Sequence, residues 1–142
     1  LLSTGSGIAP FLSILQQPEI WQRFDTIALA HSVSHNYDLI FNDEIARLPE
    51  HPLVGEYCEK LRFTPITTRE TDNERLHFRL PESLNNGSLA KSFKLTFTKE
   101  RSRFMICGNP NMVQNTFKTL LNMGFTMHRN KIAGQIMMEN GF

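Results

Sequence analysis

The stretch Ser3-Thr4-Gly5-Ser6-Gly7-Ile8-Ala9-Pro10-Phe11 is the first place in the chain where residue types and spacing suggest chemistry. Two glycines let a backbone turn sharply and approach a ligand closely, and the free N–H groups of a helix that starts behind them point at whatever anion sits there. A pyrophosphate fits that description. The spacing is not G-x-G-x-x-G, because Pro10 holds the place of the third glycine, so on spacing alone an ordinary tight strand-to-helix turn is an equal reading. Cys107 closes a second apolar run and is followed at once by Gly108-Asn109-Pro110. By itself Cys107 reads as a small packed hydrophobe, and no histidine lies near it in sequence to draw out a thiolate.

These residues need a frame to hold them. Residues 8–17 read as a helix, with Pro10 tolerated in the first turn, Ile8, Phe11, Leu12 and Leu15 on one face, and Pro18 ending it. Residues 26–32 (T-I-A-L-A-H-S) form a short, nearly continuous apolar run, the pattern of a strand covered on both faces. Asn36 can cap a helix over 37–48, with Leu39, Ile40, Ile45 and Leu48 expected on its core face. A short helical stretch over 53–60 leads to a strand over 61–67. A polar, exposed stretch is expected over 71–75, and short helices over 81–86 and 88–93. The run 103–107 then predicts a strand, and 111–123 a helix closed by Gly124. The tail, 125–142, has room for two more short strands around a turn at 131–134.

Strand and helix patterns alternate, so the expected fold is α/β: an open, mainly parallel sheet of five to six strands with helices on both faces. The 142 residues suit one domain with one sizeable core. Fifteen basic against fourteen acidic residues give a formal charge of +1, which offers no field for gripping nucleic acid or an anionic membrane. No apolar run reaches the roughly 20 residues of a membrane span. Two cysteines, Cys58 and Cys107, form neither a disulfide framework nor a zinc pattern, so no metal and a reducing cytoplasm are expected. The chain opens with Leu1, and its glycine turn follows only two apolar residues, which reads as a fragment with a truncated first strand.

The longer string S-T-G-S-G-I-A-P-F-L-S-I-L resembles the opening of the NADP-binding domain in the ferredoxin/flavodoxin NADP reductase family. Met105-Ile106-Cys107-Gly108-Asn109-Pro110-Asn111-Met112-Val113 resembles that family's C-G-x-P-x-M segment, and Thr68-Arg69-Glu70 the R-E segment of its bacterial branch. The three occur in the family's order. The resemblance implies a Rossmann-like NADP-binding domain over residues 1–142, with the family's N-terminal FAD-binding barrel missing from this chain. Thr4, Gly5, Ser6 and Gly7 then hold the pyrophosphate and nicotinamide end, Gly108 and Asn109 also bind the cofactor, and Arg69 and Arg79 hold the 2′-phosphate of NADP. An arginine fork can pair two phosphate oxygens.

The same resemblance puts Cys107 beside the nicotinamide at the hydride-transfer site, in a positioning role. Glu139 is implied to relay a proton or orient the nicotinamide, and Phe142 to cover the flavin ring. An NAD-selective site would place a carboxylate near the ribose hydroxyls after the second strand, yet residues 31–36 (H-S-V-S-H-N) have none before Asp38. The implied function is flavin-dependent ferredoxin or flavodoxin NADP reductase, with NADP and FAD as cofactors and ferredoxin or flavodoxin as partner of a monomer. Two rivals stand beside it: an NAD-using reductase component of the same superfamily, disfavoured by Arg69 and Arg79, and a non-catalytic NADP-binding module, disfavoured by the terminal aromatic.

Overall fold

A strand buried on both faces reads as a continuous apolar run, and the run over 26–32 becomes such a strand inside a sheet. The computed structural model describes residues 1–71 and 75–140. Strands β1 (Leu2–Thr4), β2 (Ile27–Val33), β3 (Leu61–Thr67), β4 (Phe104–Gly108) and β5 (Ile136–Asn140) pair in parallel, in the order β3-β2-β1-β4-β5. Helices α1 (Ile8–Leu15), α2 (Pro18–Arg23), α3 (Asn42–Arg47), α4 (Leu80–Asn85), α5 (Ser88–Phe93) and α6 (Pro110–Asn122) connect them.

Because strand side chains alternate faces, each strand serves two cores. Phe104 and Ile106 of β4 pack with Leu80, Leu84, Leu89, Phe93, Val113 and Leu120 from α4, α5 and α6. Met105 and Cys107 of the same strand pack on the opposite face with Ile8, Phe11, Leu15 and Trp21 from α1 and α2 and with Ile45 from α3. The result is three layers, helix on sheet on helix, as expected for an α/β domain.

The expected strand 61–67 appears as β3, and the runs 103–107 and 26–32 appear as β4 and β2, each shifted by one residue. Three expectations change. Pro18, read as a stop, is also the first residue of α2, since its missing N–H and preset φ suit a helix start as well as they end the previous one. The expected helix 37–48 is instead a 3-10 turn, Asn36–Asp38, followed by α3 and a second 3-10 turn, Leu48–Glu50. The break at Leu39 (φ −81°, ψ 58°) shifts the helical phase, so Ile40 is 72% exposed while Leu39, Ile45 and Leu48 are buried as expected. The tail holds one strand, β5; the other pairing there among the described residues is an isolated bridge between Met127 and Ile136. Of the stretch expected to be exposed over 71–75, Thr71 is exposed and Arg75 half-buried, and the rest lies outside the described residues.

β3 stands at one edge and carries Pro65 in its middle. In a parallel ladder successive N–H groups point alternately to the two sides. Thr68 donates inward to the carbonyl of Val33 and Thr67 outward to that of Leu76, which puts Pro65 on the outward set. Its missing donor therefore costs no ladder bond.

Trp21, the chain's one tryptophan, is fully buried and donates its indole N–H to the carbonyl of Leu15 at 2.8 Å, satisfying an end carbonyl of α1 and docking α2 there. Trp21→Phe removes the donor and part of the buried indole, leaving both an unpaired carbonyl and a cavity, and is expected to cost about 2–4 kcal/mol. Urea unfolding followed by circular dichroism checks this: the midpoint falls while the slope is unchanged.

Candidate functional site

Strand order reverses direction at β1, whose neighbours are β2 on one side and β4 on the other. In open α/β sheets the crevice outside the carboxyl ends of the strands at such a point is where ligands bind. β1 ends at Thr4, and the 3-10 turn Gly5–Gly7 carries the chain directly into α1. Both glycines have a steric reason. Gly5 sits at φ +50°, and a Cβ there would meet nothing within 4 Å, so the space above the turn is open. Gly7 is pressed against the end of β4: a Cβ would strike the carbonyl of Cys107 and stand 2.6 Å from the Cα of Gly108.

The facing segment is built by Asn109. Its Oδ1 accepts N–H groups from Asn111 at 2.9 Å and Met112 at 3.4 Å, capping α6, and Pro110 takes the first helical position. The Asn109 N–H donates to Thr4 Oγ1 at 3.2 Å, so the two segments are tied across the crevice. Ser6 and Asn109 are exposed there, while Gly7, Cys107 and Gly108 are buried. An open turn with a helix N-terminus behind it supplies unpaired N–H groups to an anion.

Register aligns a row of polar groups just below this crevice. Ser3 pairs with His31 on one side and Cys107 on the other, and Cys107 pairs with Glu139. Ser3 Oγ donates to the carbonyl of Ala30 at 2.8 Å. Cys107 is 2% exposed, and burial, then the charge of Glu139, push its thiol pKa up. It stays protonated at neutral pH, which suits packing beside a ligand and not nucleophilic attack. Glu139 itself is exposed. His31 is 1% exposed, and its Nε2 lies 3.0 Å from the carbonyl of Gly5. Burial lowers its pKa and the bond to Gly5 partly offsets this.

The far end of the crevice is built where β2 and β3 run out. The N–H groups of Thr68 and Arg69 donate to the carbonyls of Val33 and Ser34, both at 2.9 Å. Glu70 Oε1 accepts the N–H of Asn36 at 3.0 Å, and the guanidinium of Arg75 bonds Asn36 Oδ1. Asp38, the first carboxylate after β2, accepts the N–H of His35 at 3.2 Å and so folds back on its own turn. The side chains of Arg69 and Arg79 are exposed, Arg79 at the residue preceding α4, where its carbonyl accepts the N–H of Ser83 at 2.8 Å. With strands roughly 4.8 Å apart, the β3 end stands roughly 15 Å from the β4 end.

The structure thus brings Thr4, Gly5, Ser6, Gly7, Cys107, Gly108, Asn109 and Glu139 to one end of the crevice and puts Arg69 at the other; Phe142 lies outside the described residues. Two participants carry no local signal. Arg75 reads as part of a polar loop, and His31 as one residue of an apolar run, although a histidine inside such a run was itself the available hint. A shallow hollow lined by Gln16, Glu44, Arg47 and His51 lies at the C-terminal ends of α1 and α3, away from this crevice. Among the described residues no cluster of side chains suits a metal ion, and no helix is long and apolar enough to cross a membrane.

Residues 1–118 match the model of a family described as the oxidoreductase NAD-binding domain. The ferredoxin–NADP reductase of Pseudomonas aeruginosa is 36% identical over 146 residues, covering 100% of this chain and 56% of that protein. The flavodoxin/ferredoxin–NADP reductase of Buchnera aphidicola is 35% identical, covering 99% and 55% respectively. A crystal structure of a ferredoxin NADP+ reductase from Neisseria gonorrhoeae, with bound FAD and NADP, superposes with a TM-score of 0.88 at 58% identity, over 99% of this chain and 55% of that one. The chain therefore spans about half the length of the relatives it matches.

Two outcomes test the geometry. Gly7→Ala forces a methyl group onto backbone of β4 and is expected to cost about 1–3 kcal/mol in a thermal or urea melt, the range of overpacking. Glu139→Gln removes the charge that opposes the Cys107 thiolate. In a Cys58→Ser background, the pH midpoint of Cys107 alkylation should therefore move down, while burial still holds it above that of an ordinary thiol.

Proposed function

The chain belongs to the oxidoreductase NAD-binding domain family, and from that premise we propose that it is the NADP-binding half, over residues 1–142, of a flavin-dependent ferredoxin or flavodoxin–NADP reductase. The observation that carries the proposal is the open glycine turn seated on the end of β4 at the point where strand order reverses. The residues present fit a dinucleotide. The turn leaves free space above Gly5 and none beside Gly7, which suits a close approach of pyrophosphate oxygens to backbone N–H groups. Roughly 15 Å separate the ends of β4 and β3, a span that an extended dinucleotide bridges.

Each residue then has a task. Thr4, Gly5, Ser6 and Gly7 bind the pyrophosphate, and the capped segment Gly108–Asn109 forms the opposite wall. Cys107, held as a thiol, sets the depth at which the nicotinamide rests, and Glu139 orients the ring from the β5 side. Arg69 and Arg79 pair with the 2′-phosphate. Asp38 is turned onto His35 and Glu70 onto Asn36, which leaves the adenosine end to the arginines rather than to a ribose-binding carboxylate. When bound, the cofactors supply the redox chemistry: a hydride exchanged between nicotinamide C4 and flavin N5, and single electrons exchanged between the flavin and ferredoxin or flavodoxin. Phe142 is assigned to cover the flavin ring, and FAD is held mainly by a domain outside this chain. The proposal includes a cytoplasmic monomer; the unpaired Cys58 and Cys107 support the reducing compartment.

Calorimetric titration of NADP and NAD against the wild type and Arg69→Ala tests the phosphate role. A charge-assisted hydrogen bond is worth about 1.5–3 kcal/mol, so Arg69→Ala should weaken NADP roughly ten- to hundredfold and leave NAD nearly unchanged. Equal binding of both nucleotides by the wild type would instead favour the NAD-using branch.

A further inference from the structure

His31 is buried in the middle of the sheet, and neither the phosphate clamp nor the nicotinamide wall uses it. Its neighbours on β2 are Ala30, buried with the apolar core, and Ser32, and its register partners are Ser3 and Pro65. The hydroxyl of Ser3 is spent on Ala30. Nδ1 of His31 is buried with no hydrogen-bond partner among the described residues. An unpaired buried polar atom costs about 1–3 kcal/mol, so for stability alone an apolar side chain would serve better here. What the imidazole does make is one bond, 3.0 Å from Nε2 to the carbonyl of Gly5. A carbonyl can only accept, so the proton sits on Nε2 and the ring is the donor.

Resting on the NADP reading above, we propose that His31 is a positioning residue of the phosphate-binding turn: its Nε2–H holds the Gly5 carbonyl inward, so that the turn offers the pyrophosphate donors and no lone pair. Gly5 occupies the left-handed region at φ +50°, and glycine crosses between positive and negative φ with little steric penalty. Without His31 the carbonyl of Gly5 loses a donor that holds it, and glycine leaves the peptide there freer to rotate. A carbonyl oxygen swung into the crevice repels an anion at the point where the N–H groups should attract it. His31 therefore acts on affinity at one end of the dinucleotide alone. The clamp for the 2′-phosphate, at the ends of β2 and β3, does not depend on it.

That separation makes the test. In the full-length protein, NADP and adenosine 2′-phosphate, which carries the clamp's phosphate and no pyrophosphate, are titrated against wild type, His31→Leu and His31→Gln. His31→Leu should raise the Kd for NADP about tenfold, equivalent to about 1.4 kcal/mol, and change that for adenosine 2′-phosphate by less than about twofold. His31→Gln, whose amide nitrogen reaches the place of Nε2, should recover most of the loss. If His31→Leu does not fold, His31→Asn, whose amide falls short of Gly5, takes its place with the same expectation. The inference is overturned by unchanged NADP binding in the Leu or Asn variant, by equal weakening of both ligands, or by a Gln variant no better than Leu. Wild-type protein that binds adenosine 2′-phosphate but not NADP, or neither, would overturn the proposed function itself.

Discussion

The close approach of the Gly7 backbone to the end of β4 is the constraint on which the site depends. It brings the start of α1 over the crevice rather than beside it, and it sets the distance between the two loops that leave β1 and β4. Thr4 and Asn109 then meet in a hydrogen bond, and Gly108 has no room for a side chain because Thr4 Oγ1 and Met112 already fill the place. Met112 apart, these contacts are backbone to backbone or involve a short side chain. Such contacts have few rotamers to lose, so the wall they form is set before any ligand arrives.

The two ends of the crevice are made differently. At the β1 and β4 end Gly7, Cys107 and Gly108 are buried, and the thiol of Cys107 is kept neutral by its surroundings. At the β3 end Arg69 is exposed, while the loops beneath it are tied by the bonds of Ser34 to Arg69 and of Asn36 to Glu70 and Arg75. Under the proposed function, a preset cradle and exposed cationic arms would take a ligand with a compact, strongly hydrated diphosphate at its middle and a single extra phosphate at its edge. Arms in solvent contribute selectively for charge and geometry, and their strength falls with added salt.

Much of this was legible in the residues, and the parts that were not have separate physical causes. β3 reads directly because residues 61–67 form a bounded β-rich run. α1 reads because its apolar positions fall at three-four spacing. Local pattern also reaches the glycine turn and the missing carboxylate after β2. The 36–48 region fails because two short turns and α3 imitate one helix until the kink at Leu39 is known. α2 is hidden behind Pro18, which signals an end and a beginning alike. His31 is invisible for a different reason: the carbonyl it holds lies 26 residues away along the chain, and no window of sequence contains both partners.

The outward-facing imino nitrogen of Pro65 reaches beyond the site. An exposed sheet margin with its full set of donors is a template on which a neighbouring polypeptide can align and extend the ladder. On β3 that template is interrupted twice, by Pro65 at mid-strand and by Leu76 lying against Ile66. The flank nearest the arginine arms is thus guarded against accretion of foreign strands, and a crowded protein solution is less able to seal the crevice by growing the sheet past it.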